Sequence, residues 1–355
     1  MDIYNPEIKV EPATWEGKTF HVIREDYLPG GTKQRALFEF INRRKEEEFV
    51  YAGPTSGYAH CALSYVTKLL NKKATVFLQT GAPHRDEHAP LVQYTRSNGA
   101  NVHIIAKTLD DTTKDATNYV ENVNKGKETP TCFMCPFGLD SEEYKEILRN
   151  ALISAMPQEL KDSPPKRLWI TVGSGTLLRV IATIWTETVF MPVRVGKGVW
   201  EDQYDPQVWK RMGDGLTIED LKAPQRFFEK VARELLPPYS SVSNYDAKVW
   251  QFVQKHGKDG DYIWNVGRDK TDEDIPPAFR SNAVVFDPSN RDQRYGNNRR
   301  EERISNYNRS NYDRRSNGYN GRRREGNDRN HYEERRNTGD RSRESDRQPR
   351  GRYYD

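Results

Sequence analysis

The sequence predicts an α/β protein built on parallel sheet, followed by a C-terminal segment of a different kind. Three observations carry that expectation. Short apolar runs rich in Val, Ile, Leu and Phe alternate with amphipathic stretches of helical period as far as Val266. Several of these runs pass directly into a helix through turns of Gly, Ser and Thr, at the spacing of βαβ units, whose strands are parallel and whose crossovers are right-handed. From Ser289 onward the apolar residues give way to arginine and asparagine, as in Gly321-Arg322-Arg323-Arg324. Such a segment cannot offset the entropy of ordering and is expected to be disordered.

Taken in order, the first informative stretch runs from Arg24 to Arg35. Pro29, Gly30 and Gly31 end whatever precedes them, since proline fixes φ and glycine adopts conformations that other residues avoid. A helix follows at once, with Ala36, Leu37, Phe40 and Ile41 on one face. Lys33 then lies on a first helical turn, where the positive end of the helix dipole disfavours an ammonium. An amine that loses its proton readily is the kind that forms a Schiff base. The plain alternative is a solvated surface lysine.

The spacing predicts a strand at 48–52, a helix at 58–71, a strand at 74–78, a helix at 88–97, a strand at 102–106 and a polar helix at 110–123. Asp140 reads as the N-cap of a helix to 156, with Glu143 at the capping-box position. A buried strand at 168–172 enters a helix through Gly173-Ser174-Gly175-Thr176. The strand at 189–195 contains Pro192, which argues for an edge or a bulge. A helix at 245–256 is stopped by Gly257, and 262–266 is the last strand. Tyr245-Asp246-Ala247-Lys248 reads as capping.

Three turns carry chemistry. At Gly173-Ser174-Gly175-Thr176, backbone N–H groups and a helix dipole can cradle a phosphate, though close strand-to-helix packing also uses glycine. The run lacks the Gly-Lys-Ser/Thr of a nucleotide loop and is too short for a dinucleotide fingerprint, so a phosphate monoester suits it. Pro54-Thr55-Ser56-Gly57-Tyr58 could hold a carboxylate or be an ordinary capped turn. Pro237 to Ser243 reads as a polar loop.

Together these stretches resemble the fold type II, tryptophan synthase β-like family of pyridoxal-phosphate enzymes, nearest 1-aminocyclopropane-1-carboxylate deaminase and D-cysteine desulfhydrase. The family's lysine motif reads Gly-Gly-Asn-Lys-x-Arg, and Gly30-Gly31-Thr32-Lys33-Gln34-Arg35 matches it with Thr for Asn. Pro54-Thr55-Ser56-Gly57 is similar to the substrate loop of the related cysteine synthases, Gly173 to Thr176 resembles the phosphate loop, and Pro136-Phe137-Gly138 also fits.

The resemblance implies two three-layer parallel-sheet domains with the cofactor site between them. The body would span 1–288, with a smaller domain inserted at about 48–160 and a disordered tail at 289–355. It implies pyridoxal 5'-phosphate held as an aldimine by Lys33, its phosphate on Gly173, Ser174, Gly175 and Thr176, and a deaminase or lyase acting on a small amino acid. Thr55, Ser56, Gly57 and Tyr58 would bind substrate, with Ser56 as acid or nucleophile. Tyr239 would lie against the ring, and Ser240 would bond the ring nitrogen and leave it mostly unprotonated. A homodimer is implied as well. Tyr58 stands where the cysteine synthases have Asn, and His60 is read as structural, with a catalytic base as its alternative.

Composition limits the rest. Three cysteines, Cys61, Cys132 and Cys135, imply no disulfide framework, and the lone CxxC at 132–135 argues against zinc. With no basic or apolar leader pattern in Met1–Pro6 and no apolar run of membrane-spanning length, a soluble cytoplasmic protein is expected. Residues 289–355 hold 19 arginines, no lysine and 12 acidic residues, a net charge of +7; since the whole chain is +4, residues 1–288 come to −3. An arginine-only tail interleaved with Tyr and Asn resembles RNA-associating segments, because guanidinium pairs with phosphate and stacks on bases. The alternative there is a solubilising polyampholyte. The functional alternative to the enzyme is a catalytically altered binding or structural protein that associates with RNA through this tail.

Overall fold

β1 (Val10–Trp15) and β2 (Lys18–Arg24) open the fold as an antiparallel hairpin. Its two-residue turn, Glu16-Gly17, has positive φ at both positions, 48° and 77°, the conformation whose twist matches paired strands. Periodicity alone did not predict this hairpin, because Pro12 and the polar residues around it mask the alternation. The computed structural model describes residues 4–195, 215–217 and 219–280. The arginine-rich segment 289–355 lies outside them.

The expected α/β alternation is present. After α1 (Gln34–Asn42) come β3 (Glu48–Pro54), α2 (Ala59–Leu69), β4 (Lys73–Gln79), α3 (Pro83–Asp86), α4 (Pro90–Ser97), β5 (Asn101–Ile105), α5 (Leu109–Asn124) and β6 (Cys132–Met134). Then follow α6 (Glu142–Ala155), α7 (Gln158–Asp162), β7 (Arg167–Val172), α8 (Thr176–Ile184), β8 (Val189–Arg194), α9 (Trp250–His256) and β9 (Tyr262–Asn265). The helix expected over 245–256 divides into a 3-10 turn, Asp246–Val249, and α9. One cap is corrected. Ser141, not Asp140, caps α6 by accepting from the Tyr144 N–H at 3.3 Å. Glu143 therefore stands one place short of the capping-box position and pairs with Arg44 instead.

Two sheets result. The larger runs β1-β2-β9-β7-β8 and is parallel except for the hairpin; the smaller runs β5-β4-β3-β6 and is parallel throughout. Pro192 lies in β8, an edge strand, where a missing N–H costs the ladder little.

Side chains alternate across each sheet with the period of two that strands impose. In β3, Val50 and Ala52 pack under α5 with Phe77 and Ala116, while Phe49 and Tyr51 face the other way. In the larger sheet, Trp169, Val22 and Ile263 pack with Trp250 and Val253 of α9. The opposite faces of both sheets feed one continuous apolar cluster. It joins Phe49, Val76 and Leu78 of the smaller sheet to Ile23, Ile170, Val172 and Trp264 of the larger through residues of α1, α2, α6 and α8. Ala36, Leu37, Phe40 and Ile41, the apolar face read from the sequence, are all at most 1% exposed in it.

Candidate active site

Because β2, β9, β7 and β8 are parallel, the segments leaving their C-terminal ends share one edge of the larger sheet. That is where open α/β sheets place ligands. The segment after β2 carries Lys33, the one after β7 is Gly173 to Thr176, and the one after β9 is Val266-Gly267. Segments from the smaller sheet reach the same edge. Tyr58, beyond β3, packs its ring so that a Cβ on Gly31 or Gly267 would come within 3.0 Å of it, and Gly138, beyond β6, lies against the side chain of Ser174. The four stretches quoted for the resemblance are thus brought together.

Lys33 ends a 3-10 turn, Gly31–Lys33, and is the N-cap of α1. The turn is tied down on three sides. The Thr32 N–H donates to the Val266 carbonyl at 3.0 Å, Trp264 Nε1 donates to Thr32 Oγ1 at 3.0 Å, and the Tyr144 hydroxyl donates to the Lys33 carbonyl at 3.0 Å. Gly31 has φ of +62°, and any Cβ there would collide with the Val266 carbonyl oxygen, so only glycine fits. The Lys33 amine is held below the usual lysine range. Desolvation is the main cause, and the carboxylates of Asp246 and Asp140 oppose it. Burial therefore does the work that the helix dipole was expected to do.

Arg35, the last residue of the lysine motif, faces away from this chemistry. It forms a two-pronged ion pair with Glu25, Nε to Oε2 and Nη2 to Oε1 both at 2.6 Å, and its Nη1 donates to Asn5 Oδ1 and the Pro6 carbonyl, both at 2.7 Å. Both side chains of the pair are 1% exposed.

In the turn after β7, Gly175 has φ of +79° and is the N-cap of α8. The N–H groups that begin a helix have no intrahelical acceptor, so this turn presents donors to an anion. Ser174 Oγ and Thr176 Oγ1 lie 3.0 Å apart beside them. Arg179, on the first turn of α8, pairs with Asp140 and donates to the Ser174 carbonyl at 3.4 Å. The Tyr245 hydroxyl comes so close to Gly173 that a Cβ there would stand 2.6 Å from it.

The substrate-loop residues divide. The Thr55 hydroxyl donates to Asp86 at 3.1 Å and its N–H donates to the Gln79 carbonyl, so both are committed. Ser56 and Gly57 are half-buried, and the Gly57 N–H closes the turn onto Pro54 at 2.9 Å. Tyr58 wedges between the Lys33 turn and Gly267, with its hydroxyl buried and without a partner. His60 is fully buried, hydrogen-bonded to Thr95 Oγ1 at 2.7 Å and to the Thr55 carbonyl at 3.2 Å, and burial pushes it down to about 4. It props the loop from behind, as a structural histidine does.

Tyr239 meets Trp250 edge-on at 5.9 Å, with its phenol pushed up chiefly by burial and by the nearby charge of Asp246. Ser240 is exposed, and its carbonyl accepts from Asn265 Nδ2 at 2.7 Å.

The residue that sequence reading missed is Asp246. It heads the 3-10 turn but makes no capping bond, and it is 4% exposed. Burial pushes its carboxyl well above the usual range, softened by the nearby N–H groups of Val266 and Gly267 and the Thr171 hydroxyl. The one available signal was an acid immediately before a stretch rich in apolar residues, Ala247, Val249, Trp250, Phe252 and Val253. Cys61, Cys132 and Cys135 are buried free thiols, and among the described residues no helix is long and apolar enough to cross a membrane.

No protein-family model matches this chain, and no curated protein does. Solved structures do match. An ACC deaminase homologue superposes with a TM-score of 0.57 at 15% identity, over 75% of this chain and 91% of its own. The processed form of threonine deaminase isoform 2 from Solanum lycopersicum gives 0.50 at 16% identity, over 76% and 82%. An O-ureido-L-serine synthase bound to O-ureido-L-serine gives 0.50 at 12% identity, over 83% and 98%. The chain has the fold of these proteins, the fold type II architecture that the motifs implied.

Proposed function

We propose that this chain is a pyridoxal-phosphate-dependent deaminase or lyase acting on a small amino acid, with Lys33 as the amine that holds the cofactor. One observation carries the reading. A lysine whose amine burial holds below the usual lysine range shares a sheet edge with a helix-capping turn whose N–H groups lack acceptors. The residues present fit the cofactor: the amine suits its aldehyde, and the turn at Gly173, Ser174, Gly175 and Thr176 suits its phosphate. When bound, pyridoxal phosphate supplies an electron sink for charge developing at the substrate α carbon.

The chain's own residues do the rest. Thr32, pinned by Val266 and Trp264, holds Lys33 at the head of α1, so that its amine can take and return the α proton of the substrate. Ser56, whose neighbour Thr55 is tied to Asp86, is the hydroxyl left to meet a substrate carboxylate or leaving group. Tyr58 fills the space beside Gly31, which favours a small substrate there.

The test is uptake of added pyridoxal phosphate by the purified protein. A new absorbance band at the visible edge is expected, and borohydride followed by peptide mapping should fix the label on Lys33. A protein that stays colourless, or that is labelled elsewhere, would sink the reading.

The proposal extends to the rest of the chain. Cytoplasmic placement is supported by the free thiols, a homodimer by the resemblance, and RNA association by the arginine-only tail. A chain ending at Asp287 should melt and bind cofactor as the full chain does, yet lose binding to single-stranded RNA. Binding by the full chain should fall steeply with salt, as counterion release requires. Equal RNA affinity in the two would remove the tail from that role.

A further inference from the structure

We propose that the cleft beside the Leu28-Pro29 loop is a second ligand site, which takes a small monocarboxylic acid with an apolar body. The carboxylate meets Lys270, and the body lies against Tyr65 and Tyr94. This site does not depend on the cofactor reading, since Lys33, Ser56 and the Gly173 to Thr176 turn do not line the cleft.

The cleft holds about 300 Å³ and opens between the loop after β2, helices α2 and α4, and the segment that follows β9. That volume lies at the small end of the range for ligand pockets. Lys270 forms part of its wall and is 5% exposed. An ammonium has three N–H donors, and Lys270 Nζ places one on the Pro29 carbonyl at 2.7 Å. Two phenol rings cover it further, with Nζ 4.4 Å from the centre of Tyr94 and 5.3 Å from that of Tyr58. A ring face attracts the cation but is a poor acceptor for its remaining N–H groups.

Both acids of the cleft are already paired with arginine. Asp26 takes Arg24 Nε at 2.9 Å and Nη2 at 2.8 Å, and Asp274 takes Arg268 Nη1 at 2.7 Å and Nη2 at 2.6 Å. With those charges cancelled, Lys270 leaves the cleft one positive charge that no carboxylate among the described residues pairs. Burying such a charge is costly. Desolvation accordingly holds the Lys270 amine below the usual lysine range, aided by Arg268 and opposed by Cys61 and Asp274. A ligand carboxylate supplies acceptor and countercharge together. Leu28, Pro29 and the faces of Tyr65 and Tyr94 offer apolar surface to the rest of the acid.

Wild type, Lys270→Met, Tyr65→Ala and Lys33→Ala should be titrated by equilibrium dialysis with benzoate and with benzamide, its uncharged counterpart. Wild type should favour benzoate by roughly tenfold or more, the factor carried by one charge-assisted hydrogen bond. Lys270→Met should lose that preference and Lys33→Ala should keep it, while Tyr65→Ala should weaken both compounds alike. Benzoate affinity of wild type should fall as pH rises toward 10.5, because Lys270 sheds its proton below that value. No binding by wild type at millimolar benzoate, equal affinity for the two compounds, or a preference that survives in Lys270→Met would each overturn the site. So would a preference lost in Lys33→Ala but kept in Lys270→Met, which would put benzoate at the Lys33 edge. If Lys270→Met fails to fold, the preference of wild type, its pH dependence and its survival in Lys33→Ala still decide.

Discussion

Lys33→Ala is expected to abolish the visible-edge band and to lower turnover by about a thousandfold or more, since covalent attachment and proton transfer at the α carbon are lost together. The fold should survive. The Lys33 carbonyl, not its side chain, takes the Tyr144 hydroxyl, and the Thr32 contacts belong to the preceding residue. Stability offers an independent readout. The folded protein holds the Lys33 amine below the ordinary value of 10.5, so the unfolded chain binds more protons below that value. Wild-type stability should therefore gain from this group as pH rises toward about 10.5, and Lys33→Ala should lack that part of the slope. A variant that stays yellow with cofactor, or that melts far below wild type at every pH, contradicts this account.

Glu25→Gln is expected to destabilise the protein by about 3–5 kcal/mol, the range for breaking a buried ion pair and leaving one charge uncompensated. The Arg35 guanidinium is 1% exposed and has committed its bonds to Glu25, Asn5 and Pro6. It cannot turn to water. Replacing both partners at once, as Glu25→Leu with Arg35→Met, should recover much of the loss, because apolar groups of similar size carry no desolvation cost. Urea denaturation of the two single variants and the double closes the cycle. A loss below about 1 kcal/mol for Glu25→Gln would show that the pair is no better than a surface bridge.

This second case explains why part of the site was legible in the sequence and part was not. Lys33 and Gly173 to Thr176 announce themselves because a tight turn needs glycine and a helix start follows at once, all within a few residues. Arg35 belongs to the same short motif, yet its partners are Glu25, Asn5 and Pro6, which no local period connects to it. Asp246 was harder still. An acid before a helix ordinarily reads as a cap, and only its burial distinguishes it. The β1–β2 hairpin was lost to Pro12, although Glu16-Gly17 carried the turn signal. The parallel strands were plain, since burial on both faces makes them continuous apolar runs. The cap at Ser141 differed by one residue because Asp140 is drawn off to Arg179.

The apolar cluster that runs unbroken from Phe49 and Val76 to Ile170 and Trp264 sets how this molecule can breathe. Two sheets with separate cores could open on a hinge, each half staying folded while a cleft widened between them. Here, parting the sheets would expose one shared core, which costs a large share of a marginal total stability. Amide exchange in β3 and β7 should accordingly follow a single cooperative opening rather than two. On the proposed function, substrate is expected to enter past the short loops at the strand ends, above all the turn from Thr55 to Tyr58 and the bend at Gly138. Exchange of ligand at Lys33 is then expected on the fast timescale of loops and not on that of domains.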